Sequence, residues 1–493
     1  MKKTLFSAAL ALTTLGAAAQ DKTLYFMKRV PQSAFLNASS NPEFSTYVGF
    51  PGLSNNSFAY NNSSFAFTDV LKKGTGVRKD SLIFDVNGLA GQLGKINYIR
   101  MDYASDIISF GFRINSYYSH FNISLKTTSS FEYPKGLLDL RKGNYDFETN
   151  RPRTIDLSNL ANNSIGYVEM GFGLSKVVNE KLTVGARLKL LNGIFAAKTS
   201  RFKSNIITSD DFQKSTINVD AEMLMSAPNL AFTLDTDGKI KDISFNSDNG
   251  SEGYKFGSNL GFGIDLGGTY KLNDKLTFYG SVNDFGFIRW TQNGYRLTSK
   301  GSYDFNGADI TPDENGDIDF DKAMEAIADT LKTKFKPTQT NAKFTTMLKT
   351  KAYLGATYNA LSWLSCGALL RGGFYGSYFD PALTLSANAT PFRALAFTLT
   401  YSVYNRSMNN VGMGLVIGGK PLQLYIVADN ILSRMVSLKS NGGSSVSIPG
   451  YTRSLNFQFG INLQLGSRAK KQPAVEVAPA PATTPATTEP SSL

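Results

Sequence analysis

The sequence contains one cysteine, Cys366, and one histidine, His120, among 493 residues. A single cysteine excludes a disulfide framework, so we expect Cys366 to serve as a small apolar side chain. After its first twenty residues the chain also lacks any run of about eighteen apolar residues, the length that a membrane-spanning helix needs. Helical membrane spans are therefore excluded, and any membrane crossing must be made by strands.

Acidic residues are fewer than basic residues. The chain has 39 Asp and Glu and 51 Lys and Arg, which give a formal net charge of +12. Such an excess can indicate nucleic-acid binding. Here, however, Lys and Arg stand singly along alternating segments, and no recognition motif accompanies them. We therefore expect no nucleic-acid partner.

The first twenty residues, MKKTLFSAALALTTLGAAAQ, have the features of an export signal. Lys2 and Lys3 precede an apolar stretch, and Ala17 and Ala19 have the small-residue spacing that signal peptidase accepts. The apolar stretch is too short to anchor the chain as a membrane helix. We therefore predict a signal peptide over residues 1–19, and no cysteine follows it to indicate a lipoprotein.

Strict alternation marks the segment YTRSLNFQFGINLQLG, residues 451–466. The odd positions from Leu455 to Leu465 are apolar, whereas the even positions are Ser, Asn, Gln or Gly. A period of two indicates a strand. Soluble strands usually have about five or six residues, whereas a tilted strand that crosses a membrane needs about 9 to 11. The length therefore favours a membrane strand.

The same alternation recurs along the chain and predicts about fourteen strands. They cover residues 99–103, 108–114, 121–125, 168–174, 182–190, 260–266, 276–282, 352–358, 364–374, 383–389, 395–403, 411–417, 422–428 and the segment above. Short polar turns alternate with connections of which several are long, as expected for periplasmic turns and outer loops. We therefore predict an all-β fold, a transmembrane antiparallel β-barrel over residues 96–467 with both termini in the periplasm.

Two end segments differ from the barrel in composition. Residues 20–95 are rich in Asn, Ser, Phe and Gly and have only short alternation. Irregular backbone facing lipid would leave polar groups unsatisfied, so we predict that this segment forms an N-terminal plug inside the lumen. Residues 468–493 are rich in Pro, Ala and Thr and are predicted to be a disordered periplasmic tail.

No catalytic or metal site is predicted. His120 shares its strand parity with Ser124, but no Ser-His-acid arrangement can be read from the sequence. The loop at residues 313–319 places Asp313, Asn315, Asp317 and Asp319 in the frame of a calcium-binding loop, but Ile318 and Met324 replace the required glycine and closing glutamate. We interpret it as a solvated acidic loop that precedes a helix over residues 321–334.

Charged residues on the inward parity are the candidate lumen-lining residues. They are Arg100, Arg113, Lys126, Arg187, Lys189 and Arg371, together with Asp102, Glu169 and Asp265. In an open barrel they would make a somewhat basic lumen that tunes the passage of solutes. In a closed barrel they would instead pair with one another and with the plug.

A family resemblance rests on the signal that ends in Ala-Gln and on three segments. These are NPEFSTYVGFPGLSNNSFAYNNSSFAFTDVL, IISFGFRIN and EKLTVGARLKLLNG. Together they resemble an uncharacterised family of Bacteroidota outer-membrane β-barrels. More distantly, the even strand count and Asn41-Pro42 look like the FadL-type transporters of hydrophobic compounds and the PorV-type barrels of type IX secretion. In the FadL type an Asn-Pro-Ala segment forms part of a lumen hatch, so the resemblance implies that Asn41 and Pro42 belong to the plug, with Glu43 in place of the alanine.

These observations leave two functional hypotheses. The first is a non-enzymatic outer-membrane barrel that conducts a small or hydrophobic solute. The alternative is a structural or docking subunit of a cell-envelope or protein-secretion complex, which would use the long loops and the tail. The expected partners are outer-membrane lipid, a small hydrophobic solute and an envelope protein, and no cofactor is expected.

Overall fold

The structure is a computed structural model. It describes residues 21–73, 76, 82–143, 145–245, 255–307, 320–375, 378–405, 407–430, 435–439, 445–450 and 452–466. The predicted signal peptide, the acidic loop at residues 313–319 and the predicted tail lie outside the described residues. Within the described part of the chain, the helices are too short or too polar to cross a membrane.

Strands dominate the described residues. They are β1 (Thr46–Gly49), β2 (Asn56–Asn62), β3 (Leu71–Lys73), β4 (Leu82–Phe84), β5 (Ile96–Ile114), β6 (Tyr117–Pro134), β7 (Tyr145–Asp146), β8 (Arg151–Pro152), β9 (Thr154–Asp156), β10 (Ala161–Val177), β11 (Leu182–Thr208), β12 (Ser215–Ser226), β13 (Leu230–Leu234), β14 (Ile240–Phe245), β15 (Leu260–Lys271), β16 (Leu276–Trp290), β17 (Gly294–Phe305), β18 (Thr338–Asn341), β19 (Phe344–Met347), β20 (Lys351–Asn359), β21 (Leu364–Tyr375), β22 (Tyr378–Phe392), β23 (Leu395–Tyr404), β24 (Ser407–Gly418), β25 (Leu422–Asp429), β26 (Met435–Lys439), β27 (Ser445–Pro449) and β28 (Ser454–Leu465).

The helices are short. They are α1 (Asp21–Phe26), α2 (Phe67–Val70), α3 (Val86–Gln92), α4 (Gly136–Asp139) and α5 (Phe320–Lys334), with 3-10 helices at Pro31–Phe35 and Leu140–Lys142. Helix α5 confirms the helix that was predicted to follow the acidic loop.

Antiparallel pairing closes the wall into a barrel. Neighbouring strands follow the order β5, β6, β10, β11, β15, β16, β20, β21, β22, β23, β24, β25 and β28. Strand β28 then pairs with β1 and β2, and both of these pair with β5. With β1 and β2 counted as one wall strand, the described residues form a closed antiparallel barrel of fourteen strands. The predicted fold class is confirmed.

The two faces of the wall have opposite polarity. On β22, the outward Leu383 and Leu385 are 43% and 52% exposed, whereas the inward Thr384 and Ser386 are 1% and 7% exposed. Strand β28 has the same pattern, with even-numbered polar residues buried and Leu465 exposed. An apolar exterior around a polar interior is the reverse of a soluble barrel and is stable in lipid. The wall is therefore built to span a membrane.

One predicted boundary is wrong, because part of the predicted plug belongs to the wall. Residues 46–49 and 56–62 are β1 and β2, which complete the barrel. Between them Phe50, Pro51, Gly52 and Leu53 form a tight turn, in which the Leu53 N–H donates to the Phe50 carbonyl at 2.9 Å and Gly52 has a φ of 71°. Pro and Gly suit the two central positions of such a turn. Because the turn interrupts the alternation, β1 and β2 cannot be recognised as one wall strand from the sequence pattern.

A β-bulge explains a second difference from the predicted strands. Residues 99–103 and 108–114 were expected to be two strands, but both belong to β5, whose register with β6 shifts between Asp106 and Ile108. The extra residue reverses the parity of the apolar side chains, as bulges do. The expected count of fourteen survives because the interrupted β1 and β2 supply the missing wall strand.

A side sheet extends the wall at the end that carries the long loops. The second half of β11 runs beyond the barrel and pairs with β9 and β12, and β12 pairs with β17. Strand β18 adds to the other edge of β17. On the opposite side of the barrel, the pairing of β21 with β22 extends to Tyr375 and Tyr378, and that of β23 with β24 extends to Tyr404 and Ser407. The rim is therefore tall on one side and low on the other.

Candidate functional site in the barrel lumen

The N-terminal segment, defined here as residues 21–45, lies against the inner face of the wall. Helix α1 and the residue after it place Leu24, Tyr25, Phe26 and Met27 in one apolar cluster. The wall members come from β16, β20, β21, β23, β24 and β25 and are Tyr279, Tyr353, Leu369, Ala396, Val416, Tyr425 and Val427. Because strands from so much of the wall contact one short helix, α1 lies within the barrel.

Polar contacts fix this segment along its length. Thr23 Oγ1 donates to Asp429 Oδ1 on β25 at 2.5 Å, and Gln32 Nε2 donates to Asn462 Oδ1 on β28 at 2.8 Å. Burial raises the pKa of Tyr25 to about 12. These contacts pair polar groups that would otherwise be buried without partners.

The middle of the segment is held by β16. Ser281 Oγ and Asn283 Nδ2 both donate to the Leu36 carbonyl oxygen, at 2.8 Å and 2.7 Å. Further along, Arg113 contacts Asn41 Oδ1 and donates from Nη2 to the Pro42 carbonyl at 2.6 Å. Asn41 and Pro42 therefore lie beside an inward-facing arginine of β5.

Glycines in the wall make room for the segment. A Cβ atom on Gly185 would lie 2.0 Å from the Ala38 carbonyl oxygen, and one on Gly267 would lie 2.2 Å from Asn37 Oδ1. Real Cβ atoms do not approach other atoms so closely, so alanine at either position would push the segment away from the wall. Sequence reasoning did not identify these glycines, because their requirement comes from a partner more than 140 residues away in the chain.

One cluster of ion pairs joins five neighbouring strands, from β6 to β16. Arg187 Nη2 lies 2.5 Å from Glu169 Oε1, and Nη1 lies 3.0 Å from Asp265 Oδ2. Lys189 Nζ lies 2.6 Å from both Asp265 Oδ1 and Asp284 Oδ1. Three basic and three acidic side chains meet here, because Lys126 Nζ also lies 2.7 Å from Glu169 Oε2.

The N-terminal segment covers this cluster. The ring of Phe35 lies over Arg187, with its centroid 4.7 Å from Cζ of the guanidinium. The cluster contains three basic and three acidic side chains, so its charges balance. This arrangement favours the prediction that charged residues in the lumen pair with one another. Asp284 was missed by sequence reasoning because it lies at a register shift and has a φ of 58°.

A second cluster crosses the lumen. Arg100 Nη2 on β5 lies 3.3 Å from Asp380 Oδ2 on β22, and Arg371 Nη1 also lies 3.3 Å from this atom. Asp102 Oδ2 lies 3.2 Å from Arg100 Nε. Strands β5 and β22 are not neighbours in the wall, so these contacts bridge facing sides of the barrel. Asp380 precedes the strand that the sequence predicted, 383–389, and was therefore missed.

His120 is buried among aromatic side chains. Its side chain is 1% exposed, and its ring centroid lies 5.8 Å from that of Phe35 and 6.1 Å from that of Tyr118. Among the described residues neither ring nitrogen has a hydrogen-bond partner. The described residues also contain no group of three or more His, Cys, Asp or Glu side chains that could hold a metal ion.

The N-terminal segment separates two cavities. An interior cavity of about 150 Å³ is bordered by Leu24, Phe35 and Leu36 of the segment and by charged wall residues such as Lys189. A cavity of about 580 Å³ opens at the short-turn end and is bordered by Met27. The segment thus lies between the interior cavity and the short-turn end of the barrel.

The model of DUF5723, a protein family of unknown function, matches residues 39–429, which is most of the chain. The chain belongs to the DUF5723 family. The matched residues of this DUF5723 protein include the wall from β1 to β25 and both ion-pair clusters. No curated protein matches its sequence.

Solved barrels are similar to the DUF5723 protein only at low identity. The toluene transporter TodX of P. putida is 11% identical with a TM-score of 0.40, covering 88% of this chain and 94% of TodX. A FadL homologue from Pseudomonas aeruginosa is 12% identical with a TM-score of 0.36 and the same coverages. The translocator domain of the autotransporter NalP from Neisseria meningitidis is 7% identical with a TM-score of 0.31, covering 89% of this chain and 95% of that domain. These values add nothing to what the strand pairing already establishes.

Proposed function

We propose that this protein is an outer-membrane conduit for a small solute and that its N-terminal segment holds it closed. One observation carries the proposal. Residues 24–36 lie between the interior cavity and the cavity at the short-turn end, so a solute could pass between the two only if this segment moved. The orientation that we propose places the short turns and both termini in the periplasm.

The lining of the cavities bears on the class of solute. The interior cavity is bordered by Asp106, Lys126, Asp284 and several amide and hydroxyl groups, which suit a small solute with polar groups. A larger space of about 990 Å³ near the low rim is bordered by Leu370 and Phe374, which are 55% and 52% exposed on the outer, lipid-facing side of the wall. It is therefore not part of the lumen, and the polar interior cavity is the observation that bears on the solute.

The experiment is a deletion of residues 22–40, which removes the obstruction and keeps every wall strand. We expect higher conductance in planar bilayers than for the intact protein, because the interior cavity then opens to the short-turn end. A deletion of residues 21–95 would not test this, since it also removes β1 and β2. Heat-modifiable migration on gels establishes that the shortened barrel is folded. Unchanged conductance of a folded variant would contradict the conduit.

A docking subunit of an envelope complex is the second candidate. Two observations favour it: the ion pairs that bridge Arg100 and Asp380 across the lumen, and the side sheet of β9, β12, β17 and β18 that rises beyond the barrel. Co-purification of a stable partner that is lost when the side sheet is shortened would support this candidate. Higher conductance of the variant that lacks residues 22–40 would instead favour the conduit.

A further inference from the structure

Three aromatic side chains meet at the tip of the long-loop end. The Tyr145 ring centroid lies 4.7 Å from that of Phe147 and 5.2 Å from that of Phe212. Tyr145 and Phe147 belong to the small hairpin of β7 and β8, whereas Phe212 lies in the turn between β11 and β12. Phe147 is 84% exposed and Phe212 is 41% exposed. Two loops that are distant in sequence therefore present one aromatic surface to solvent.

The backbone at Phe212, one of the two exposed phenylalanines, has an unusual conformation. Its φ is 62°, in the left-handed region where Gly or Asn is the usual residue. The turn is held closed around it, because the Ser209 N–H donates to the Lys214 carbonyl at 2.9 Å and the Phe212 N–H donates to the Ser209 carbonyl at 3.0 Å. A bulky residue in such a conformation indicates a function at that position.

Polar groups of both signs surround the rings. Asp146 accepts the Glu148 N–H at 3.0 Å, and this hydrogen bond holds the pKa of the Asp146 carboxyl below its usual range. Arg153 Nη2 lies 3.6 Å from Asp146 Oδ1. On the other loop, Asp211 Oδ1 accepts the Gln213 N–H at 3.1 Å. The surface thus combines flat apolar faces with nearby hydrogen-bonding groups and no dominant charge.

These features select among the classes of ligand. The three rings expose about 300 Å², if a full aromatic side chain has about 200 Å², whereas a stable protein partner needs about 800 Å² on each side. Among the described residues of these loops no positive charge dominates beside the rings, so nothing there attracts anionic lipid head groups. A pyranose ring offers an apolar face that fits an aromatic ring and hydroxyl groups that fit the polar rim. We propose that Tyr145, Phe147 and Phe212 bind the sugar rings of an uncharged polysaccharide.

The experiment measures retardation of the full-length, detergent-solubilised protein in native gels that contain dextran, mannan or laminarin. We expect at least one of these probes to retard the protein, and we expect Phe147→Ala and Phe212→Gly to weaken the binding about tenfold or more. Phe245→Ala is the matched control, because Phe245 is 65% exposed on β14, outside the aromatic surface. It should bind as the unaltered protein does.

Phe212→Gly also separates binding from structure. Glycine adopts the left-handed conformation without strain, so this variant should unfold at the same temperature or higher while it loses retardation. Absence of retardation by all three polysaccharides would overturn the proposal. Equal retardation of the unaltered protein, Phe147→Ala and Phe212→Gly would also overturn it.

Discussion

Replacement of a single wall glycine should release the N-terminal segment without removing any residue of it. A Cβ atom on Gly267 would lie 2.2 Å from Asn37 Oδ1 and 2.7 Å from the Ser39 nitrogen. Ordinary contacts begin at 3.4 Å, so the contact with the backbone nitrogen of Ser39 alone would require the segment to retreat by about 0.7 Å. Gly268 is the matched control, because a Cβ there would meet nothing within 4 Å.

The size of the effect follows from the contacts that such a retreat breaks. The two hydrogen bonds that the Leu36 carbonyl accepts from Ser281 and Asn283, now 2.8 Å and 2.7 Å, would lengthen to about 3.5 Å, the limit of a useful hydrogen bond. At about 1 kcal/mol each, their loss weakens docking of the segment by about 2 kcal/mol. This corresponds to an about 30-fold larger undocked fraction, since 1.4 kcal/mol is about tenfold.

Trypsin cleavage after Lys28 and Arg29 reports the undocked fraction, because cleavage of a transiently opened segment follows its open population. We expect Gly267→Ala to be cleaved about 30-fold faster than the unaltered protein, and Gly268→Ala to be cleaved at the unaltered rate. Conductance in planar bilayers should rise with the cleavage rate. Equal cleavage of Gly267→Ala and Gly268→Ala, with both barrels folded by gel migration, would refute the reasoning.

Three further predictions concern the wall and the chain ends. Glu169→Gln should lower the free energy of unfolding in detergent by about 3–5 kcal/mol, because it removes one charge from a buried cluster that contains Lys126, Arg187 and Lys189; unchanged urea unfolding would contradict this. Phe459→Arg should cost about 2–4 kcal/mol and reduce the folded band on gels, since this side chain faces lipid, whereas Phe459→Leu should fold normally. Deletion of residues 468–493 should leave the folded band intact, because the predicted tail follows the last strand, and loss of the band would show that the tail is structural.

The sequence by itself determined the class of fold. A membrane barrel needs long strands that are apolar on one face and polar on the other, and a period of two records both requirements locally. The same parity selected inward-facing charges such as Arg187 and Lys189, which are both 1% exposed inside the barrel. Composition also separated an irregular beginning of the chain from the alternating remainder.

Only the tertiary structure decided which parts of that beginning complete the wall and which occupy the lumen. Strands β1 and β2 are short and interrupted, so their place depends on hydrogen bonds to β28, about 400 residues later in the chain. The bridge from Arg100 to Asp380 and the fit of Ala38 against Gly185 likewise join residues that lie far apart in sequence. Local alternation records which face of a strand meets lipid, but contacts across the lumen depend on the closure and register of the whole barrel, and no local pattern contains them.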